Sequence, residues 1–425
     1  MRFNRLSDWL SWQETLHPNA IDLGLDRLRR TLHALGWRRP SCPVITIAGT
    51  NGKGSSVALL TRILSEAGYR VGTFTSPHLL DYNERITLAE RPVSDASLIA
   101  AFERIDAARG SDTLTFFEFN TLAALLIFET ACLDAIVLEV GMGGRLDAVN
   151  VVDADAALVT SIALDHCEWL GDNLEAIGRE KAGIFRPSRP AVLGSRNLPK
   201  SIFEAADALG SRVLWIGREF DYVRQGARWS WCGQQQHWGD LPAPSLVGDI
   251  QYDNAAAVLA VLESLSDRLP VDRGAIERGL TSTQLIGRFQ VVPERGFEWI
   301  LDVAHNPAAA HTLAAQLDGR PVRGKTIAVC GMLGDKDIEG VAAELSGRFD
   351  AWIVAGLMGA RAIAPEQVAE RLRGGGASVS ELAPDIVEAC RRAERLAAAG
   401  DRIVVFGSFL AVAPVLEWLR SRGLG

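Results

Sequence analysis

Apolar strand-like runs that alternate with helix-period segments make this 425-residue chain an α/β protein built on a mostly parallel sheet. A glycine-rich loop set between one such strand and helix, and a second alternating series after residue 288, divide it into a larger and a smaller α/β domain, 1–288 and 289–425. In the first series the strands fall at 43–48, 70–74, 134–140, 156–160 and 191–194, with helices near 54–67, 95–108, 118–132 and 173–183. The texture changes at about 211–247, where Trp215, Trp229, Trp231 and Trp238 lie among short alternating segments and turn residues. An antiparallel hairpin extension is expected there, its tryptophans serving as packing rather than as a ligand platform. Helices at 253–264 and 273–280 close the first domain. The second series gives strands at 299–303, 325–330, 350–355 and 402–407, with helices near 308–317, 337–347, 365–373, 384–398 and 409–421.

Composition narrows the class. The chain is 48% hydrophobic and 23% charged, ordinary for a protein with large cores, and its net charge of −8 argues against a nucleic-acid or anionic-membrane surface. The first residues lack the continuous apolar core of a signal peptide, and the longest apolar run, 121–133, is interrupted by Glu129. Six scattered cysteines with no C-x-x-C pair read as small buried hydrophobes in a reducing compartment. A cytoplasmic, monomeric enzyme acting on small molecules is the expectation.

The segment Ile45-Thr-Ile-Ala-Gly-Thr-Asn-Gly-Lys-Gly-Ser-Ser56 carries the most information. A β-branched strand, a glycine-rich loop ending in lysine and serine, and an apolar helix set backbone N–H groups and a helix N-terminus around one point, which is an anion cradle. Lys53 and a hydroxyl make it a nucleotide-phosphate site, although Gly49 precedes Gly52 by only three and Gly54 separates Lys53 from Ser55. The competing reading is a plain glycine turn.

Asp134-Ala-Ile-Val-Leu-Glu-Val-Gly-Met-Gly-Gly-Arg-Leu-Asp147 is the second informative segment. Glu139 interrupts an apolar strand at its C-terminal end, where parallel sheets place ligands, and a phosphate-bound metal ion would compensate its burial. A structural pair with Arg145 is the alternative. Asp165 and His166 follow another strand end, and Ser76 closes a third, where a turn serine is the plainer reading. Lys181, late on a helix, reads by default as a solvent-exposed charge.

Together with Gly49-Thr-Asn-Gly-Lys-Gly-Ser55, the segments Ser76-Pro-His78, Phe116-Phe-Glu-Phe119, Glu139-Val-Gly-Met-Gly-Gly-Arg-Leu-Asp147, Ser161-Ile-Ala-Leu-Asp-His166, Arg179-Glu-Lys-Ala-Gly-Ile184 and Leu301-Asp-Val-Ala-His-Asn-Pro307 resemble the folylpolyglutamate synthase/dihydrofolate synthase family of Mur-type ATP-dependent amide ligases. The resemblance spans nearly the whole chain, and 211–247 carries little of it. It implies a P-loop N-terminal domain followed by a smaller Rossmann-like domain that ligates glutamate. It implies ATP phosphates on Asn51, Gly52, Lys53, Gly54 and Ser55, and two Mg²⁺ ions on Ser76, Glu139 and His166. It further implies that Lys181 is carbamylated, reversing the default for that residue. Asn254, Arg288 and Asp302 match positions that hold the nucleotide from the domain interface. His305 and Ser408 match residues near the incoming glutamate, with Lys53, Lys181 and His305 in catalytic roles. Asp22, Leu23, Gly24, Thr115, Phe116, Phe117, Glu118, Leu146, Asp147 and Ala148 match pterin-binding stretches. The implied substrates are ATP, L-glutamate, dihydropteroate and reduced folates, joined through an acyl phosphate.

Three rival readings compete with this one. A cell-wall Mur ligase carries a nucleotide-sugar domain ahead of the phosphate loop, and Gly49 comes too early for one. A P-loop kinase or GTPase-like switch predicts an aspartate where Glu139 stands and leaves the second domain's motifs unexplained. A non-catalytic relative would have lost metal-site residues, yet Lys53, Ser76, Glu139, His166 and Lys181 are all present. The segment Phe116–Leu122 and Ile21-Asp-Leu-Gly-Leu25 favour a bifunctional enzyme over one that only extends folates.

Overall fold

The computed structural model describes residues 2–294, 296–359 and 361–424. Two compact units emerge, one running up to Ser245 with Gln251–Thr283, the other comprising Leu246–Ile250 and the residues from Gln284 on.

The first unit begins with helices α1 (Leu6–Leu16) and α2 (Asp26–Ala34), followed by strand β1 (Val44–Ala48), helix α3 (Lys53–Glu66) and strand β2 (Val71–Phe74). Short strands β3 (Ile86–Leu88) and β4 (Arg91–Pro92) precede helices α4 (Asp95–Ala108) and α5 (Phe116–Thr130). Then come β5 (Ala135–Glu139), β6 (Ala156–Val159), α6 (Cys167–Leu170), α7 (Leu174–Ala182), β7 (Pro190–Leu193), α8 (Lys200–Leu209) and β8 (Arg212–Trp215). These strands form one sheet in the order β4-β3-β2-β5-β1-β6-β7-β8. The pairings from β2 to β8 are parallel, and β3 and β4 add an antiparallel edge.

Every residue of β1 and β5 is buried, as a strand covered on both faces requires. The period of two sorts the side chains. Val44, Ala48, Ile136 and Leu138 pack with Phe119 and Leu122 of α5, whereas Ile45, Ile47 and Val137 pack with Val57 and Leu60 of α3. β1 lies at the centre, so the loop leaving its C-terminal end is flanked by the ends of β5 and β6.

Strands β9 (Asp221–Gln225), β10 (Arg228–Cys232) and β11 (His237–Pro242) form the expected antiparallel extension, ordered β11-β10-β9. Trp229 and Trp231 are fully buried and donate from Nε1 to the carbonyls of Pro242 and Ala256, at 2.8 and 3.0 Å. One correction concerns its start. Arg212–Trp215 belongs to the large sheet as a parallel edge strand on β7. Its single buried residue, Leu214, gives it the one-sided pattern of a hairpin strand, and a four-residue pattern cannot separate the two. Helices α9 (Ile250–Ser264) and α10 (Arg273–Ser282) follow.

The second unit contains β12 (Gln290–Pro293), β13 (Glu298–Leu301), α11 (Pro307–Asp318), β14 (Thr326–Cys330), α12 (Ile338–Glu344), β15 (Ala351–Ala355), α13 (Pro365–Gly374), β16 (Val379–Ala383), α14 (Ile386–Leu396), β17 (Arg402–Phe406) and α15 (Phe409–Ser421). Its sheet runs β12-β13-β17-β14-β15-β16, parallel except for β12. The buried-hydrophobe reading of the cysteines applies to Cys42, Cys330 and Cys390. Cys132, Cys167 and Cys232 are exposed, a correction that follows from their places in a loop, at the first residue of the short helix α6 and at the last residue of β10. No helix among the described residues is long and apolar enough to cross a membrane.

Candidate active site

The C-terminal ends of β2, β5, β1 and β6 converge on one edge of the large sheet. From β1 the chain enters the loop at Gly49, whose φ of +152° only glycine adopts readily, and a Cβ there would lie 1.9 Å from Thr160 Oγ1. Gly52 has φ +88°, and a Cβ on it would meet Asn254 Oδ1 at 2.7 Å. Both glycines are therefore required by close approach as well as by backbone conformation. The loop is pinned from the β6 side. Thr50 N donates to Ser161 O at 2.7 Å, Asn51 N to Ser161 Oγ at 3.1 Å, and Thr160 Oγ1 to Asn51 O at 2.6 Å. Gly52 brings no capping side chain to α3, so the first-turn N–H groups of that helix and its positive dipole end face the loop. Lys53 folds back, donating to the carbonyls of Gly49 and Thr50 at 2.9 and 3.2 Å.

Glu139 ends β5 in register with Ile47 and is 5% exposed. Its Oε2 accepts from Ser76 N at 3.3 Å, which joins the ends of β2 and β5. Arg145, the alternative partner considered from the sequence, is committed to Glu180 at 2.8 Å. His166 stands before α6 with φ +53° and ψ +38°, a left-handed conformation that histidine adopts more readily than most residues. Its backbone N donates to Asp165 Oδ1 at 2.9 Å.

Lys181 is not the exposed charge that a helical lysine suggests. It is 4% exposed, and its Nζ donates to Gly49 O at 2.9 Å, beside the phosphate loop. Burial first, then the charge of Lys53, push its pKa down to about 7, against the pull of Asp165 and Asp147. Asp147, the cap of the turn Ala148–Val151, is buried and accepts from Met142 N at 2.8 Å and Val149 N at 3.0 Å. Burial raises its carboxyl to about 6, opposed by those backbone donors and by Lys53.

Sequence reasoning missed Arg27. Its guanidinium donates from Nη1 to Asp22 Oδ2 at 2.6 Å, from Nη2 to Asp22 O at 2.9 Å and from Nη2 to Glu118 Oε1 at 3.0 Å. Glu118 is buried at the start of α5 and also accepts from Thr115 N at 2.8 Å in a capping box. Arg27 thereby ties Asp22–Gly24 to Thr115–Glu118, two stretches 91 residues apart. An arginine five residues after Asp22 was the available signal, but nothing local names Glu118 as its partner.

In the second unit, Asp302 follows β13 and is buried, with Oδ2 accepting from Phe289 N and Oδ1 from Ala304 N, both at 2.7 Å. Burial raises its carboxyl, and Arg288 is the main opposing charge. Arg288 lies 5.5 Å from the ring of Phe409. Ser408 follows β17, the parallel neighbour of β13, and caps α15 through Leu410 N at 3.1 Å. His305 Nδ1 is 2.9 Å from Val303 O. Arg288, Asp302, His305 and Ser408 thus share the C-terminal edge of β13 and β17.

Among the described residues no cluster of three or more His, Cys, Asp or Glu could hold a metal by itself. Glu139, a buried carboxylate at a strand end, is the kind of donor that magnesium takes, since that ion binds through one or two carboxylates while keeping waters and phosphate oxygens.

Residues 47–262 match the Mur ligase middle domain and residues 287–409 the Mur ligase glutamate ligase domain. The dihydrofolate synthase/folylpolyglutamate synthase of Escherichia coli K12 is 43% identical over 420 residues, 99% of this chain and 97% of that protein. Its counterpart in Haemophilus influenzae is 38% identical, covering 96% of each. Among solved structures, E. coli FolC in complex with DHPP and ADP superposes with a TM-score of 0.93 at 43% identity, covering 99% of both chains. The bifunctional enzyme of Yersinia pestis, complexed with AMPPNP and Mn ion, gives 0.91 at 44% identity over 98% of each.

Proposed function

This chain belongs to the dihydrofolate synthase/folylpolyglutamate synthase family of Mur ligases, and we propose from that premise how its residues divide the work. It is an ATP-dependent ligase that joins L-glutamate to dihydropteroate and to folates. The observation that best supports the roles below is that Lys53, Ser76, Glu139 and buried Lys181 come from four segments to one sheet edge.

A carboxylate does not acylate an amine at neutral pH, because oxide is too poor a leaving group. The reaction therefore proceeds in two steps. An oxygen of the substrate carboxylate attacks the γ-phosphorus of ATP, the bond to the bridging oxygen breaks, and ADP leaves behind an acyl phosphate. The glutamate nitrogen, its ammonium proton lost to a base, then adds to the acyl carbon. Phosphate departs with the carbon–oxygen electron pair and the amide remains.

The loop N–H groups from Asn51 to Ser55, the α3 terminus and Lys53 cradle the phosphates and meet the charge that develops on them. Asn254, packed against Gly52, shapes the loop's far side, and Arg288 and Asp302 contribute to ATP binding. Ser76, Glu139 and His166 would hold two magnesium ions, which supply positive charge to the phosphates. Lys181 as a carbamate adds a negative charge where the sequence alone supplies a cation. Its depressed pKa supports this, because carbon dioxide reacts with the neutral amine. Asp22–Gly24, Thr115–Glu118 and Leu146–Ala148 bind the pterin, the first two clamped together by Arg27. His305 and Ser408 receive glutamate.

ADP release assayed with glutamate plus dihydropteroate, and separately with glutamate plus a tetrahydrofolate, tests both activities. Turnover with tetrahydrofolate alone would reduce the enzyme to folate extension.

A further inference from the structure

The roles above give no part to Arg85, a buried guanidinium of the first unit. Arg85 ends the short 3-10 turn Tyr82–Arg85 and is only 8% exposed. Its Nε donates to His78 Nδ1 at 2.8 Å, so that ring nitrogen is an acceptor and the imidazole is neutral. The guanidinium carbon lies 5.8 and 5.6 Å from the ring centres of Tyr82 and Phe116. Among the described residues no group accepts a hydrogen bond from Nη1 or Nη2. The nearby Glu84 is not a counter-ion, because its carboxylate accepts the N–H groups of Leu79, Leu80 and Asp81 at 2.8, 3.0 and 2.8 Å. A cation this deeply placed is costly unless an anion meets it. Burial lowers its pKa, against the charges of Tyr82, Glu139 and Glu84.

Its position suggests which anion. Arg85 immediately precedes β3, and its carbonyl accepts from Thr75 N at 2.9 Å, one residue before Ser76. Glu139, bonded to Ser76, is among its electrostatic neighbours. On its other side is Phe116, at the start of α5. Arg85 thus lies between the residues assigned to the phosphoryl end and one assigned to the pterin. In a pteroate, the group between those ends is the carboxylate to be activated.

We propose that the Nη donors of Arg85 bind the substrate carboxylate and hold it through acyl transfer. The proposal rests on the site roles given above for Phe116, Ser76 and Glu139. One carboxylate oxygen forms the bond to the γ-phosphorus as the bond to ADP breaks. The other, held by Arg85, becomes the carbonyl oxygen of the acyl phosphate. When the glutamate nitrogen adds to the carbon, that oxygen takes up the negative charge, and it returns to a carbonyl as phosphate leaves. A planar fork with two adjacent donors suits a carboxylate better than a lysine does.

The test compares dihydropteroate with the same molecule lacking its carboxylate, by titration calorimetry with ADP and magnesium present. Wild-type enzyme should favour the carboxylate ligand by on the order of ten- to a hundredfold. Arg85→Gln should reduce that preference to within about threefold and leave the affinity of the decarboxylated ligand unchanged. If Arg85→Gln does not fold, Arg85→Lys decides, since it keeps the charge without the fork and must lose most of the preference. Retained discrimination, or equal weakening of both ligands, overturns the proposal. Phe116→Ala separates it from the pterin assignment. If Phe116→Ala weakens neither ligand while Arg85→Gln abolishes discrimination, the pterin assignment fails and the Arg85 assignment stands. If Phe116→Ala weakens both and Arg85→Gln discriminates normally, Arg85 alone is wrongly assigned.

Discussion

Lys181→Ala tests the carbamate most directly, and the structure sets the size of the effect. Carbamylation consumes the neutral amine: the nitrogen bonds to the carbon of CO₂ and one proton is released. With its pKa pushed down to about 7 by burial and by Lys53, the amine is ~90% neutral at pH 8, against roughly 0.3% for an ordinary lysine. The site therefore raises the reactive fraction by on the order of three hundredfold. The carbamate adds an anion beside Gly49 and the phosphate loop, so its loss should cost about 3 to 4 kcal/mol of transition-state stabilisation, or ~10²- to 10³-fold in kcat. Short carboxylates such as acetate should restore part of the rate in Lys181→Ala by occupying the vacated space. The assay is ADP release in CO₂-depleted and bicarbonate-supplemented buffer, alongside ¹³C NMR of enzyme equilibrated with ¹³C-bicarbonate. Wild-type activity should fall as pH drops through 7, where the amine protonates and the carbamate is lost. Stability has its own sign. Between pH 7 and the ordinary lysine value the unfolded chain binds one more proton than the native amine, so this lysine's contribution to stability rises with pH across that window. A wild-type enzyme with no ¹³C carbamate signal and a rate indifferent to bicarbonate, or a fully active Lys181→Ala, refutes the reasoning.

Lys53→Ala should fold normally, with an unchanged melting curve, and lose several powers of ten in ligation rate, since each ~1.4 kcal/mol of lost charge stabilisation is tenfold; near-normal turnover would remove the loop from the mechanism. Glu139→Gln keeps size and removes charge, so a magnesium titration of activity should shift to higher concentration. His166→Ala should shift it less, because imidazole is a weaker ligand than carboxylate for a hard cation. Wild-type titrations from both variants would make these residues structural. Asp155→Asn probes the opposite end of the sheet, where the buried carboxylate accepts from Val44 N at 2.9 Å, Arg39 at 2.6 Å and Arg268 at 2.9 Å. Burial pushes this carboxyl up, but those partners bring it below the ordinary aspartate value. Its stabilisation is thus complete above the unfolded pKa of about 3.9 and lost as pH falls through the folded value. The variant should be about 2 to 3 kcal/mol less stable at pH 7, with the gap closing below pH 4 in urea melts; a gap independent of pH would contradict this.

The central strands were legible because burial on both faces leaves an unbroken apolar run, as in Val44–Ala48 and Ala135–Glu139. Edges were not. β3, β4 and β8 are two to four residues long, and β16 carries an exposed Ser380 and a half-buried Glu381, so neither length nor pattern marks them as strands. Helices α1 and α2 went unassigned for a related reason. Neither brings a side-chain cap to its N-terminus, and α2 packs only Leu28, Thr31 and Leu32 inward. At the site, whatever depends on local sequence could be read. The phosphate loop declares itself through glycines at fixed offsets from a lysine, and Glu139 through a charge in an apolar strand.

Lys181 shows where that legibility stops. Helical periodicity assigns it a face of α7 but does not say what covers that face. The covering segment is the glycine loop after β5. A Cβ on Gly144 would lie 2.8 Å from Glu180 O and 2.9 Å from Lys181 O, and one on Gly183 would lie 2.3 Å from Arg145 Cβ. Only a backbone without those methyl groups can approach α7 so closely, and that approach seals Lys181 away from solvent. In the fold Gly144 and Gly183 hold the loop against the helix. Gly144→Ala should therefore push the loop from α7, rehydrate Lys181, return its pKa toward the ordinary lysine value and reduce ¹³C-carbamate occupancy at fixed pH and bicarbonate, with Lys53 and Glu139 untouched. Full occupancy in Gly144→Ala would show that the lysine's environment is set by something other than this close packing.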